Sequence, residues 1–320
     1  VSIAERAAMA AVDWGTTRLR IWLLDADGNV LGERRSDEGL MTVGPGPDRF
    51  GPVLEAHLGA LGAPAGLAAV VCGMAGARQG WVEAPYVSTP ASVGAIADGA
   101  VAVPGARRPV YILPGVAQRS PDAPDVMRGE ETQIAGIARD LAGRERLVCL
   151  PGTHSKWVHT KDAAIAGYRT FLTGELFSLL ADHSILRDTL GDARRVAPDS
   201  PAFRDALLQT LRDPAALSAR LFSIRAGGLL NGLSAGDAAA TLSGLLIGTE
   251  IASATAALDA GDAGSVILLA SGPLGALYAK ALTLGGITVE IADADGAARA
   301  GLLAAARHLG ILSHHDRGTA

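Results

Sequence analysis

Short apolar runs alternate with turns from Ala11 onward. Ala11-Val12-Asp13-Trp14 passes through Gly15-Thr16-Thr17-Arg18 into Leu19-Arg20-Ile21-Trp22-Leu23-Leu24, and Asp25-Ala26-Asp27-Gly28 then turns the chain into Val30-Leu31-Gly32-Glu33. Runs of this kind, bounded by Gly- and Asp-containing turns, predict β-strands joined as a hairpin. Leu67 to Cys72 and Val110 to Leu113 are apolar and end at Gly or Pro. That pattern suits buried parallel strands meeting loops at their C-terminal ends. Ile134, Ile137, Ala138 and Leu141 recur at intervals of three and four, predicting a helix from Glu131 to Ala142.

The order then begins again. Leu147 to Leu150 predicts a strand, Pro151-Gly152-Thr153-His154 a turn, Lys156 to His159 a second strand, and Ile165 to Leu172 a third, with a helix opening near Thr173-Gly174-Glu175. Strand, Gly-Thr turn, strand, hairpin, strand is also the order of the first half, so the sequence predicts an internal duplication. Asp192 to Asp213, rich in Arg, Asp and Pro, predicts a solvent-facing insertion or short helices. Leu242 to Ala257 predicts an amphipathic helix with Leu245, Leu246, Thr249 and Ala252 along one stripe. Val266 to Ala270 predicts a buried strand, followed by Ser271-Gly272-Pro273-Leu274-Gly275 and a helix through Leu282. A strand, a Gly loop and a helix start together favour anions. Gly296 to Gly310 predicts a helix, and His314 to Ala320 a frayed end.

Composition narrows the class. With 320 residues, 49% of them hydrophobic and 19% charged, the chain exceeds what one core serves, and we expect two domains, 1–144 and 145–320. A net charge of −5 argues against nucleic acid as a partner. No apolar stretch reaches the ~20 residues needed to cross a bilayer, so a membrane is not expected. Glu5 and Asp13 flank the first apolar run too closely for a secretory signal. Cys72 and Cys149 lie in apolar runs and read as buried thiols of a reducing compartment, which points to the cytoplasm. A small-molecule substrate is the expected partner, and a homo-oligomer is compatible with the sequence.

Asp13-Trp14-Gly15-Thr16-Thr17 follows a strand and opens a hairpin turn. Backbone N–H groups and two hydroxyls at such a strand end cradle phosphate, and an Asp in the same turn orients Mg²⁺. Gly152-Thr153 occupies the equivalent place in the second half, and Ser271-Gly272 supplies a third loop after a strand. His154 and His159 lack a third ligand at metal spacing, which argues against a zinc site.

These loops, in this order, resemble the sugar kinase, heat-shock ATPase and actin superfamily. Within it the chain resembles the 2-dehydro-3-deoxygalactonokinase family, through Val12 to Thr17, Cys72-Gly73-Met74-Ala75-Gly76, Val126-Met127-Arg128-Gly129-Glu130-Glu131-Thr132-Gln133, Pro151 to Trp157, Thr173-Gly174-Glu175-Leu176 and Ser243 to Gly248. The resemblance implies an α/β fold of two duplicated ribonuclease-H-like domains with a central nucleotide cleft. The N-terminal domain would carry the substrate and the C-terminal domain the adenosine. It implies ATP and Mg²⁺ as cofactors and transfer of the γ-phosphoryl group to the 6-hydroxyl of 2-dehydro-3-deoxy-D-galactonate, with the gluconate epimer as an alternative substrate. A nucleotide-dependent switch ATPase would use the same loops without a sugar.

The resemblance places Gly15, Thr16, Thr17, Gly152, Thr153, Ser271 and Gly272 on the nucleotide, and Asp13 on the metal. Glu130 and Glu131 are both candidates for the base, Glu130 by its place after a Gly and Glu131 by its distance from Gly152. Arg128 is the candidate for the substrate carboxylate, because planar bidentate recognition favours Arg. Lys156, Gly73 and Met74 are further candidates for substrate contact.

Overall fold

The computed structural model describes residues 2–256 and 265–312. The ends of two expected elements, Ala257 and His314 to Ala320, lie outside the described residues. The chain forms two compact units, residues 2–145, 160–167 and 294–312 in the first, and 146–159, 168–256 and 265–293 in the second.

The first unit contains strands β1 (Met9–Trp14), β2 (Leu19–Leu24), β3 (Val30–Ser36), β4 (Ala69–Gly73), β5 (Val87–Ser88), β6 (Val101–Ala102), β7 (Val110–Ile112), β8 (Val116–Ser120) and β9 (Ala123–Met127). Its main sheet runs β3-β2-β1-β4-β7-β6, and a smaller sheet runs β5-β8-β9. β1 is antiparallel to β2 and parallel to β4, which is parallel to β7. Every residue of β1 except Asp13 is buried, as a central strand covered on both faces requires.

Alternate side chains divide between those faces. Val12, Trp14 and Ile21 pack with Phe50 and Leu54 of the helix Phe50–Ala60. Ala11, Trp22 and Cys72 pack with Ala298, Leu302 and Ala305 of the helix Ala294–His308. That C-terminal helix thus belongs to the first unit, and it crosses the helix Glu130–Gly136 closely. A Cβ added at Gly301 would lie 1.9 Å from the Thr132 carbonyl oxygen, and one at Gly136 would lie 1.9 Å from that of Ala297. Only glycine permits this approach.

The second unit is built on β10 (Glu145–Leu150), β11 (Ser155–Lys161), β12 (Ala164–Phe171), β13 (Val266–Leu269) and β14 (Val289–Ala292), in the order β12-β11-β10-β13-β14. β10, β13 and β14 are parallel. This order repeats β3-β2-β1-β4-β7, with Gly15 following β1 and Gly152 following β10. The fold is therefore the α/β duplication expected, each half ribonuclease-H-like in its strand order.

Three element assignments differ from the sequence expectation. The helix expected over Glu131 to Ala142 is two pieces, Glu130–Gly136 and Ala138–Leu141, broken at Ile137 where φ is −104° and ψ 14°. The segment expected as a solvent-facing insertion or short helices contains a helix, Pro201–Arg212, but it is not solvent-facing, because Phe203 and Leu207 are fully buried. The helix expected to be amphipathic is Ala235–Thr255, buried over nearly all faces from Ala238 to Ile251. No helix among the described residues is long and apolar enough to cross a membrane.

Candidate active site

In the first unit, the C-terminal ends of β1, β4 and β9 meet. Gly73, at the end of β4, has φ +87°, and an added Cβ would lie 2.6 Å from the Trp14 carbonyl oxygen and 3.6 Å from Asp13 Oδ1. Gly129, just before the helix Glu130–Gly136, has φ +114°, and its added Cβ would lie 3.5 Å from Gly73 Cα. Two glycines in backbone regions closed to other residues thus stack the start of the glutamate-bearing helix against the strand end that carries Asp13.

Asp13 is held from one side. Its Oδ2 accepts a hydrogen bond from Arg20 Nη1 at 2.9 Å, its cross-strand neighbour on β2, and Cys72 Sγ lies 3.9 Å from Oδ1. Arg20 also reaches Asp295 Oδ1 at 3.5 Å, in the first turn of the C-terminal helix. Burial raises the Asp13 carboxyl above its usual range, and Arg20 opposes that rise. The following turn is braced by backbone. Gly15 N donates to the Arg18 carbonyl, Leu40 N to that of Gly15, and Met41 N to that of Thr16. Thr16 and Thr17 are exposed on its outer side.

The two glutamates have different surroundings. Glu131 is fully buried; its Oε2 accepts from Gly129 N at 2.7 Å and its Oε1 from Thr132 Oγ1 at 2.9 Å. Burial, then the charge of Glu130, raises its carboxyl to about 7 despite those bonds. Glu130 is half-buried, with Oε2 accepting from Arg128 N at 3.2 Å. Arg128 lies over the Tyr86 ring, 4.3 Å from its centroid, and Nη2 donates to the Ala84 carbonyl at 2.9 Å. Its Nε and Nη1 are buried without a hydrogen-bond partner. Met74 opens the short helix Met74–Gly76, beside which Gly76 leaves room for Arg128: an added Cβ there would lie 2.8 Å from Nη1.

The second unit holds a cavity of about 830 Å³. Gly152 and Thr153 line it with Thr173 and Gly174, and a Cβ at Gly174 would lie 2.5 Å from the Gly152 carbonyl oxygen. Val196, Leu246, Ile247, Pro273, Leu274 and Leu277 supply apolar walls, and Arg194 and Arg195 lie at its edge. Ser271 and Gly272 do not line it, but they open the helix Gly272–Leu284 whose first residues do; Ser271 Oγ donates to Asp293 Oδ1 at 3.2 Å.

Lys156 is buried on β11 with Nζ donating to Thr170 Oγ1 at 2.8 Å, and it is not among the cavity's lining residues. His154 Nε2 pairs with Glu175 Oε2 at 2.5 Å. Among the described residues no group of three or more His, Cys, Asp or Glu gathers as a metal site. A Mg²⁺ bound through one carboxylate and substrate phosphates does not need such a group, and Asp13 fits that role.

Nine expected residues therefore cluster in the first unit: Asp13, Gly15, Thr16, Thr17, Gly73, Met74, Arg128, Glu130 and Glu131. Gly152 and Thr153 line the second unit's cavity. Sequence reasoning missed Asp295, Arg195, Tyr278 and the buried Glu250. For Glu250 a signal existed, a lone acid in the apolar run Leu245 to Ile251.

The sequence profile of the 2-keto-3-deoxy-galactonokinase family matches residues 13–305. A Rhizobium meliloti (strain 1021) protein described as a probable 2-dehydro-3-deoxygalactonokinase is 52% identical over 298 residues, covering 93% of this chain and 96% of the relative. The 2-dehydro-3-deoxygalactonokinase of Escherichia coli (strain K12) is 36% identical over 297 residues, covering 92% and 96%. A crystal structure from Sinorhizobium meliloti, of a protein described as a candidate 2-dehydro-3-deoxygalactonokinase, superposes with a TM-score of 0.89 at 51% identity, covering 94% of this chain and 99% of that one. With matching motifs, strand order and near-complete coverage, the chain belongs to the 2-keto-3-deoxy-galactonokinase family and is an ATP-dependent kinase.

Proposed function

We propose that this chain transfers the γ-phosphoryl group of ATP to the 6-hydroxyl of 2-dehydro-3-deoxy-D-galactonate, giving the 6-phosphate in galactonate catabolism. Its membership of a family named for that reaction supports the substrate. The observation that carries the residue roles is the stacking of Gly129 on Gly73, which sets Glu130 beside the strand end bearing Asp13.

In this reading Glu130 takes the proton of the 6-hydroxyl. It is half-buried, whereas Glu131 is closed off and holds the Gly129 and Thr132 bonds that shape the turn. As the proton leaves, the hydroxyl oxygen bonds the γ-phosphorus and the bond to the bridging oxygen breaks, releasing ADP. Asp13 would hold Mg²⁺, whose charge offsets that of the phosphates. The exposed Thr16 and Thr17 of the following turn present hydroxyls to phosphate, while Gly15 N is committed to the Arg18 carbonyl. Arg128, with two buried N–H groups unpaired, acts on the substrate carboxylate through its charge, because those groups are closed off in this conformation. In the second unit, Gly152 and Thr153 form the polar end of a cavity whose aliphatic walls suit a nucleobase.

The cytoplasm is the compartment this reading implies, and two buried free cysteines agree with it. The test is a coupled ADP-release assay over 2-dehydro-3-deoxy sugar acids and simple hexoses. Release that depends on the galactonate supports the reading; preference for the gluconate epimer would change the substrate, and release without any sugar would replace the kinase with a switch ATPase.

A further inference from the structure

Beneath the second unit's cavity lies a buried carboxylate that the phosphoryl transfer does not use. Glu250 is 1% exposed. Its Oε1 accepts from Trp157 Nε1 at 2.7 Å, and its Oε2 accepts from Tyr278 OH at 2.7 Å and from Thr173 Oγ1. Ser155 Oγ completes the group, 3.0 Å from the Tyr278 hydroxyl. The donors come from β11, from the first residue of the helix Thr173–His183 and from the helix Gly272–Leu284.

Two of those donors, Thr173 and Tyr278, line the cavity. Leu246 and Ile247, one turn before Glu250 on its own helix, line it as well. Positions four apart share a helix face, so this carboxylate sits one turn beyond the cavity-facing residues and ties three of its walls together. Burying a carboxylate is costly unless it is hydrogen-bonded, and here three donors meet it. Cys149, Ile247, Ile251 and Leu277 belong to the buried apolar cluster of the same unit. Removing the acid would also leave Trp157 Nε1, Tyr278 OH and Thr173 Oγ1 short of a buried acceptor, so ligand binding, and not stability, is the readout that separates positioning from packing.

We propose that Glu250 is a positioning residue for the nucleotide: it fixes the Thr173 hydroxyl and the Tyr278 ring at the places the bound nucleotide meets. The proposal rests on reading the cavity as the nucleotide site. With its proton committed to Glu250, the Thr173 oxygen turns lone pairs toward the cavity and accepts from a ligand donor. Removing the acceptor frees that hydroxyl to rotate and releases Tyr278 from its one anchored position.

The test compares the parent with Glu250→Gln, Thr173→Val, Thr173→Ser and Leu274→Asp, measuring ADP binding by calorimetry, KM for ATP and for the sugar acid, and thermal melting. Glu250→Gln keeps the volume but replaces one acceptor oxygen with a donor. The expected result is at least a tenfold weaker ADP affinity and a matching rise in ATP KM, with the sugar-acid KM within twofold. Thr173→Ser should retain binding where Thr173→Val loses it, and Thr173→Val should add little in the Glu250→Gln background. Unchanged ADP affinity, or equal rises in both KM values, would overturn the proposal. If Glu250→Gln does not fold, the Thr173 pair decides: equal affinities in Ser and Val variants overturn it. Leu274→Asp sets a charge in the exposed cavity wall. ADP affinity unaffected by that change would instead show that the cavity is not the nucleotide site, which is failure of the underlying reading.

Discussion

Glu131→Gln isolates the electrostatic strain stored beside the candidate base. The folded carboxyl titrates near 7, against an ordinary value of 4.5 in the unfolded chain. Between those values the native state binds more protons than the unfolded one, so stability falls as pH rises. The contribution is fully retained below 4.5 and lost above 7. At about 1.4 kcal/mol for each tenfold change in proton affinity, the difference is about 3 kcal/mol. Glutamine is neutral throughout. Its oxygen can accept from Gly129 N while its amide donates to Thr132 Oγ1, so both local bonds survive. The parent and variant should therefore have similar stability at pH 5, with the variant gaining up to about 3 kcal/mol by pH 8. Urea unfolding from pH 5 to 8, followed by tryptophan fluorescence, reads this, since Trp14, Trp22 and Trp81 all lie in the first unit. Parallel pH profiles for the two proteins would refute the reasoning.

Three further outcomes follow from the same geometry. Asp13→Asn keeps an acceptor for Arg20 and should melt within a few degrees of the parent, while kcat falls at least about 100-fold in steady-state assays if Asp13 holds Mg²⁺ as proposed. Gly129→Ala forces alanine to φ +114°, which should cost about 1–3 kcal/mol in thermal melts and lower kcat by shifting Glu130. Arg20→Met leaves Asp13 without its partner and should destabilise by about 1–3 kcal/mol, whereas adding Asp13→Asn should recover part of that loss, a non-additivity seen by comparing the melts of single and double variants.

Much of the candidate site's backbone was legible because it is local. The Asp13 to Thr17 turn, the Gly152-Thr153 turn and the strands around them are contiguous segments whose apolar runs end at Gly. The helix Pro201–Arg212 was legible in principle too. Ser200 caps it, with Oγ accepting from Phe203 N at 3.4 Å, Pro201 occupies the first turn, and Phe203, Ala206, Leu207 and Thr210 form a buried stripe. Its charged composition masked that periodicity. Other features depend on contacts distant in sequence. Nothing near Ala294 to His308 signals that it returns to cover β1, nor that Gly136 and Gly301 let it cross the glutamate helix. Glu130 and Glu131 are adjacent in sequence, and only tertiary packing buries one and leaves the other half-open. Lys156, a sequence candidate for substrate contact, is another case: its Nζ donates to Thr170 Oγ1 on the neighbouring strand, a pairing that local sequence does not signal.

The central claim is that Glu130 receives the proton as the sugar-acid hydroxyl attacks ATP. Its most direct test is single-turnover ADP release and phosphorus NMR of the product with 2-dehydro-3-deoxy-D-galactonate, using the parent, Glu130→Gln and Glu131→Gln. The account predicts a 6-phosphate product and a rate about 10²–10⁴-fold lower for Glu130→Gln, with Glu131→Gln much closer to the parent. Parent-like turnover by Glu130→Gln, or a greater loss in Glu131→Gln, would contradict it.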